Sequence, residues 1–107
     1  NLQQSGPTSD SVRLELQADC YGGSWVKNAS TVADASGVPF LQPITQQQIN
    51  DALNAAQVIG DDRIQEQTTG QVQPETWTHG SSDQRQKWFL IGFDNGPTAC
   101  NTFDVNP

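Results

Sequence analysis

Two carboxylates four residues apart are the first residues whose types and spacing could carry chemistry. Glu15 and Asp19 lie in a stretch that reads as helix, which would place both acids on one face, one turn apart. Val12 and Leu16 make the same strip otherwise apolar, so we expect the acids to face inward. Burying like charges is costly unless a cation or strong donors compensate them. A solvated helix face is the ordinary use of such a pair, and only the rest of the chain favours a site.

A histidine and an arginine form the second group of reactive residues. His79 is the single histidine of the chain, in Trp77-Thr78-His79-Gly80, and Arg85 follows six residues later. A loop histidine or a first-turn arginine can equally be a solvated surface residue. If the groups share a site, Glu15 or Asp19 should lie within hydrogen-bonding or ion-pairing distance of His79 or Arg85. An open groove lined by apolar residues of the first and last helices should lie beside them.

The composition excludes several classes of function. With 107 residues the chain is expected to be a single small domain, 1–107, and 34% hydrophobic residues predict a thin core. A net charge of −7 with five basic residues argues against binding to nucleic acid or to an anionic membrane. No apolar run is long enough to span a bilayer. Because the chain begins at Asn1 without Met, we expect a processed or truncated product.

Two cysteines, Cys20 and Cys100, lie far apart and lack the spacing of a metal site. They are either two buried thiols or one long-range disulfide. The helical context of Cys20 and the polar tail around Cys100 favour a disulfide that pins the tail to the first helix. A disulfide in turn indicates an oxidising compartment.

Periodicity and capping residues predict an all-α chain with about three main helices and long polar connections. The predicted main helices run from Ser9 or Asp10 to about Asn28, from Thr45 to Gly60, and from Ser81 or Ser82 to about Phe93; a linker covers 31–43 and a short helix anchored by Ile64 covers 61–69. Thr45 and Gln48 have the spacing of a capping box. Gly22-Gly23 is expected to permit close approach of another backbone.

The order of these blocks resembles a known family. The segment Glu15-Leu16-Gln17-Ala18-Asp19 is similar to the second metal-binding motif of gluzincin peptidases, E-x-x-x-D. The blocks LELQADCYGGSW, NDALNAAQVIGDDRIQ and WTHGSSDQRQKWFLIGF, followed by a late CNTF, resemble the predicted neutral zinc metallopeptidases of bacteria. The resemblance runs from about Ser11 to Phe103, almost the whole chain.

The resemblance implies a zincin catalytic domain that cleaves peptide bonds with metal-activated water. It implies that Glu15 is the third zinc ligand and that Asp19 orients a zinc-bound histidine. His79 would donate to the oxyanion of the tetrahedral intermediate, and Arg85 would contact the transition state and a substrate carbonyl. The partner implied is a peptide or protein substrate.

One departure from the family limits this expectation. The zinc helix motif H-E-x-x-H is absent, and in the family it lies just upstream of the region that corresponds to Asn1. The chain is therefore expected to be the C-terminal part of a zinc metalloendopeptidase, inactive alone and without tightly bound zinc, which belongs to the full-length parent. Self-association through the surface left by the missing helix is expected.

Two other functions stay open at this point. The first is a non-catalytic extracytoplasmic helical domain that kept the scaffold for protein binding, and the second is a small secreted helical protein without enzymatic ancestry. The sequence upstream would discriminate between the first of these and a peptidase. The cysteine pair, and the N-terminal membrane anchor usual in the family, predict an extracytoplasmic location with a membrane-anchored parent.

Overall fold

The computed structural model of the chain describes residues 4–31, 36–38, 45–58 and 60–107. Within these residues the fold is all-helical and contains no strand, as the sequence predicts. The helices are α1 (Asp10–Thr31), α2 (Gln46–Val58), α3 (Asp61–Thr69) and α4 (Ser82–Asn95), with 3₁₀ turns at Pro74–Thr76 and Pro97–Ala99. The short predicted helix thus forms as a fourth element. Most of the predicted linker 31–43, and residue 59 before Gly60, lie outside the described residues.

Helix α1 begins where the capping signal predicts. The Ser9 hydroxyl accepts a hydrogen bond from the Val12 N–H at 3.2 Å, which satisfies one of the free donors of the first turn. The helix continues three residues beyond the predicted end at Asn28. In its last turn the hydroxyls of Ser30 and Thr31 both donate to the Lys27 carbonyl, at 2.9 Å.

Helices α1 and α4 form the main packing pair and run in the same direction. Gly23 of α1 lies directly against the backbone of Phe89 in α4, so a Cβ atom at this glycine would collide with the Phe89 carbonyl oxygen. Gly92 of α4 lies equally close to the Cys20 carbonyl. Gly22, by contrast, faces open space. Of the two adjacent glycines, only Gly23 therefore serves the predicted close approach.

The C-terminal tail covers one end of this helix pair. The Cys20–Cys100 disulfide forms as expected, with 5.6 Å between the Cα atoms and a sequence separation of 80. Beside it, the Arg13 guanidinium donates to the Thr102 carbonyl and the Thr102 hydroxyl donates to the Arg13 carbonyl, both at 2.6 Å. The resulting core is small and consists of Val12, Leu16, Cys20, Trp77, Trp88 and Cys100.

Helices α2 and α3 pack more loosely. Thr45 and Gln48 form the predicted capping box, with Gln48 N–H to Thr45 Oγ1 at 3.1 Å and Thr45 N–H to Gln48 Oε1 at 3.0 Å. The prediction that Ile64 anchors α3 is wrong, because its side chain is 44% exposed. Polar contacts hold α3 in place instead: the Gln65 Oε1 atom accepts from the Trp77 indole N–H at 3.1 Å. Across the described residues, no helix is both long and apolar enough to cross a membrane.

Candidate functional site

The centre of the candidate site is an ion pair between α1 and α4. Arg85 donates two parallel hydrogen bonds to Asp19, from Nε to Oδ2 and from Nη2 to Oδ1, each at 2.9 Å. Both side chains are mostly buried, with 16% of Arg85 and 19% of Asp19 exposed. A planar guanidinium matches a carboxylate in this two-bonded geometry. The predicted contact between one α1 acid and Arg85 is therefore present, across 66 residues of sequence.

The surrounding acids hold Arg85 firmly in its charged form. Its pKa is raised above the usual value, mainly by the side-chain hydrogen bond with Asp19, and burial opposes this effect only in part. The negative charges of Asp19, Glu15 and Asp61 raise the pKa of Arg85 further. This arginine of α4 is the shared cation of an acidic cluster formed by residues of α1 and α3.

Glu15 differs from its neighbour one turn away. It is partly buried, and its carboxylate makes no hydrogen bond or ion pair to another residue within the described ranges. Its carboxylate interacts with Arg85 only through longer-range attraction. Of the two carboxylates on this face of α1, the arginine therefore fixes only that of Asp19.

His79 contacts an acid that the sequence analysis did not single out. Its ring contacts Asp61 and neither α1 acid, with 3.4 Å between Nδ1 and Asp61 Oδ1. The Asp61 Oδ2 atom accepts three backbone N–H bonds from the loop that carries the histidine: Thr78 at 3.0 Å, His79 at 2.7 Å and Gly80 at 3.0 Å. His79 itself is 55% exposed. The loop is therefore built around a carboxylate from the start of α3.

A second aspartate at the start of α3 attaches this helix to α4. The Asp62 Oδ1 atom accepts from the Ser82 N–H at 2.8 Å and lies 3.1 Å from the Ser82 hydroxyl. Sequence reasoning missed both Asp61 and Asp62. Their position in the first turn of a helix after Gly60 was a visible signal, since acids favour helix N-termini. Their partners, 17 to 20 residues away, could not be identified from that signal.

An apolar pocket lies along the same helix pair. It has a volume of about 300 Å³ and is lined by Val26 of α1, Phe89 and Phe93 of α4, and Gln48, Ile49 and Ala52 of α2. Val26 is seven residues beyond Asp19, or about 10 Å along the helix, and Phe89 is one turn beyond Arg85. The predicted groove between the first and last helices thus exists, but α2 forms its third wall.

A second apolar surface lies on the outside of α1. Leu14, Tyr21 and Trp25 are 60%, 48% and 64% exposed. Together with exposed Ala18 they repeat every three or four residues, so they form one stripe along the helix. We call these four residues the α1 stripe. Large apolar side chains in such a row mark a contact surface more often than a scattered exposed leucine does.

The described residues alone do not form a zinc site. They contain no group of three or more His, Cys, Asp or Glu side chains placed to hold a metal ion. A catalytic zinc takes three protein ligands, usually with at least one imidazole. Glu15 could supply one ligand, but the only imidazole of the chain is held against Asp61. Any complete site would need ligands from outside these residues.

Comparison with known proteins gives a consistent result over almost the entire chain. The family model described as "Putative neutral zinc metallopeptidase" matches residues 1–103. An uncharacterized protein of Mycobacterium tuberculosis strain H37Rv is 57% identical over 102 residues, which cover 94% of this chain and 35% of the relative. The uncharacterized protein YpfJ of Escherichia coli strain K12 is 46% identical over 107 residues, or 95% of this chain and 34% of the relative. The chain thus spans about a third of the length of these relatives. No solved structure matches it.

Proposed function

Because the chain belongs to the neutral zinc metallopeptidase family, we propose that it forms the C-terminal portion of the catalytic domain of a gluzincin-type zinc metalloendopeptidase. The family match supports a zinc-peptidase-related protein, and the partial coverage of the relatives supports a portion of a longer one. In this proposal 1–107 is one domain portion that contributes to a site completed elsewhere. Peptides or proteins are the substrates of the longer protein.

The difference between the two α1 acids is the observation that carries this proposal. A zinc ligand must keep its lone pairs available, whereas a group that orients other ligands must itself be fixed. Glu15 has the first property and Asp19 the second. We therefore assign Glu15 as a metal ligand and Asp19 as the residue that orients a ligating histidine. Each Asp19 oxygen accepts one bond from Arg85 and retains a lone pair for that histidine.

Arg85 and His79 are assigned to the substrate. The two bonds to Asp19 use Nε and Nη2 of Arg85, so the Nη1 donors remain for a substrate carbonyl. His79 presents a largely exposed ring that can donate to an oxyanion when Nε2 carries a proton.

The proposal is tested in a longer protein that contains this sequence and the family's H-E-x-x-H segment. Glu15→Gln should lose bound zinc and peptide hydrolysis, both measured on the purified protein. Glu66→Gln, which removes an exposed carboxylate on α3, is the matched control and should retain both. His79→Ala should keep zinc and lower kcat by about 10²–10³, typical of a lost oxyanion donor. Full zinc occupancy and activity in Glu15→Gln would contradict the proposal.

The exposure of the α1 stripe supports the proposal that it is the surface through which this chain contacts the rest of the longer protein. It flanks Glu15 on α1, where a metal site completed from outside would have to be covered. In the isolated chain the same surface would drive self-association. It also supports the second candidate function, a non-catalytic domain that binds another protein through this face. The two functions differ in one measurable property: only a peptidase loses hydrolysis on Glu15→Gln.

We also propose an extracytoplasmic location, with the longer protein attached to a membrane. The Cys20–Cys100 disulfide supports this location, since structural disulfides persist in oxidising compartments. A thiol-trapping experiment on intact cells tests it. Free thiols on both cysteines in the cellular protein would contradict it.

A further inference from the structure

We propose that Asp61 is a positioning residue that fixes the tautomer of His79, so that the ring keeps its proton on Nδ1 and leaves Nε2 for a substrate. Only the use of Nε2 rests on the proposed function, because the tautomer itself follows from contacts within this chain. Nothing in the family comparison assigns a role to Asp61.

The Asp61 carboxylate is well placed to fix an orientation. Only 15% of its side chain is exposed, and its Oδ2 atom accepts the three successive N–H bonds of Thr78, His79 and Gly80. The Asp61 N–H donates in return to the Gly80 carbonyl at 2.9 Å. Loop and carboxylate therefore hold each other, and the second oxygen, Oδ1, faces the His79 ring.

The hydrogen-bonding capacity of the neighbours decides the tautomer. His79 Nδ1 lies 3.4 Å from Asp61 Oδ1 and 3.1 Å from the Thr78 hydroxyl oxygen. An ionised carboxylate can only accept, whereas a hydroxyl can donate or accept. A proton on Nδ1 satisfies both contacts, while a lone pair on Nδ1 would face the carboxylate and repel it. The neutral ring should therefore be the Nδ1–H tautomer.

This arrangement has a consequence for the chemistry of the ring. With Nδ1–H directed at Asp61, protonation of the neutral ring occurs at Nε2, and the resulting N–H is the one available to an oxyanion. The contact also fixes the ring plane of a side chain that is otherwise 55% exposed. Asp61 thus acts on a substrate only through His79.

An asparagine at position 61 should invert the tautomer. The three backbone N–H donors require an acceptor at the Oδ2 position, so the amide oxygen of Asp61→Asn would occupy that position. The NH₂ group would then face Nδ1 and could only donate to it. The neutral ring would respond by moving its proton to Nε2, as when a carboxylate that orients a catalytic histidine is replaced by its amide.

The experiment is nitrogen NMR of the imidazole ring in the 107-residue chain at alkaline pH, where the ring is neutral. Because the chain has a single histidine, the signals need no assignment. We expect mainly Nδ1–H in the wild type and mainly Nε2–H in Asp61→Asn. Asp62→Asn is the matched control: it removes the same charge one residue away, its amide oxygen can still accept from Ser82, and it does not touch His79. It should keep the wild-type tautomer.

Three results would overturn the inference. They are an Nε2–H tautomer in the wild type, an unchanged tautomer in Asp61→Asn, and an inversion in Asp62→Asn, which would show that the loop rather than the carboxylate sets the proton. If Asp61→Asn does not fold, an Nε2–H tautomer in the wild type still overturns the inference. Failure of the peptidase proposal would appear separately, as unchanged zinc and hydrolysis in Glu15→Gln with the tautomer as expected.

Discussion

Replacing Arg85 by methionine should strongly destabilise the chain. The change keeps an apolar stem of similar length but leaves the Asp19 carboxylate mostly buried without its two hydrogen bonds. Breaking a fully buried pair typically costs about 3–5 kcal/mol, and an exposed pair contributes about 0–1 kcal/mol. With roughly a sixth of each side chain exposed, water can solvate Asp19 in part. We expect a loss of about 2–3 kcal/mol, between these limits.

The free energy of unfolding is measured by urea denaturation with the disulfide intact, followed by tryptophan fluorescence. The midpoint should fall while the slope with denaturant stays constant, because a loss of stability alone leaves the exposed area unchanged. Arg63→Met is the matched control. Its ion pair with Glu66 is longer, at 3.6 Å, and about half exposed on both sides, so its loss should cost less than about 0.5 kcal/mol.

Two further measurements sharpen this test. Arg85→Lys keeps the charge but not the two-bonded geometry, so its loss should be about half as large. The pKa of Arg85 is higher in the folded chain than in the unfolded chain. The stability that this shift contributes is therefore fully present at any pH below the pKa of the unfolded chain, and it is lost only in strongly alkaline solution. The gap between wild type and Arg85→Met should therefore not shrink from neutral pH to about pH 10. Equal losses in Arg85→Met and Arg63→Met would refute the reasoning.

Four other predictions follow from the packing and the site. Gly23→Ala should lose at least about 2 kcal/mol because its methyl group meets the Phe89 backbone, whereas Gly22→Ala should gain about 0.5–1 kcal/mol in urea denaturation; equal effects would contradict the helix contact. Reducing the disulfide should cost at most about 4.5 kcal/mol for a loop of 80 residues, and non-reducing mass analysis should find the native chain two hydrogen atoms lighter than the reduced chain. Calorimetry with Zn²⁺ should find binding to the 107-residue chain weaker than about micromolar, and a tighter stoichiometric site would mean that the ligands are misassigned. The wild-type chain should self-associate in sedimentation velocity, and Trp25→Ser should abolish this association. Ile64→Ser, which changes an exposed apolar residue outside the α1 stripe, should not. A monomeric wild type, or unchanged association in Trp25→Ser, would show that the stripe is not a contact surface.

The helices and their starting points could be predicted from the sequence because the interactions that define them are local. A cap bonds to a backbone N–H two or three residues away, as Ser9 does to Val12 and Thr45 to Gln48. The disulfide could also be predicted from the sequence, because two cysteines without the spacing of a metal site leave few alternatives. The misplaced anchor Ile64 shows the limit of periodicity, which identifies an apolar position on a helix but not whether another element covers it.

The tertiary structure decided which charges meet. The pattern of Glu15, Asp19, His79 and Arg85 indicated a shared site, but it did not distinguish which acid Arg85 would bind. That choice depends on how α1 and α4 are placed by the contacts at Gly23 and Gly92. The histidine's partner came from α3, a helix whose own periodicity carries no sign of the contact. Because electrostatic and hydrogen-bond partners are set by distance in space, and distance follows from packing, a linear sequence determines the reactive groups but only the fold pairs them.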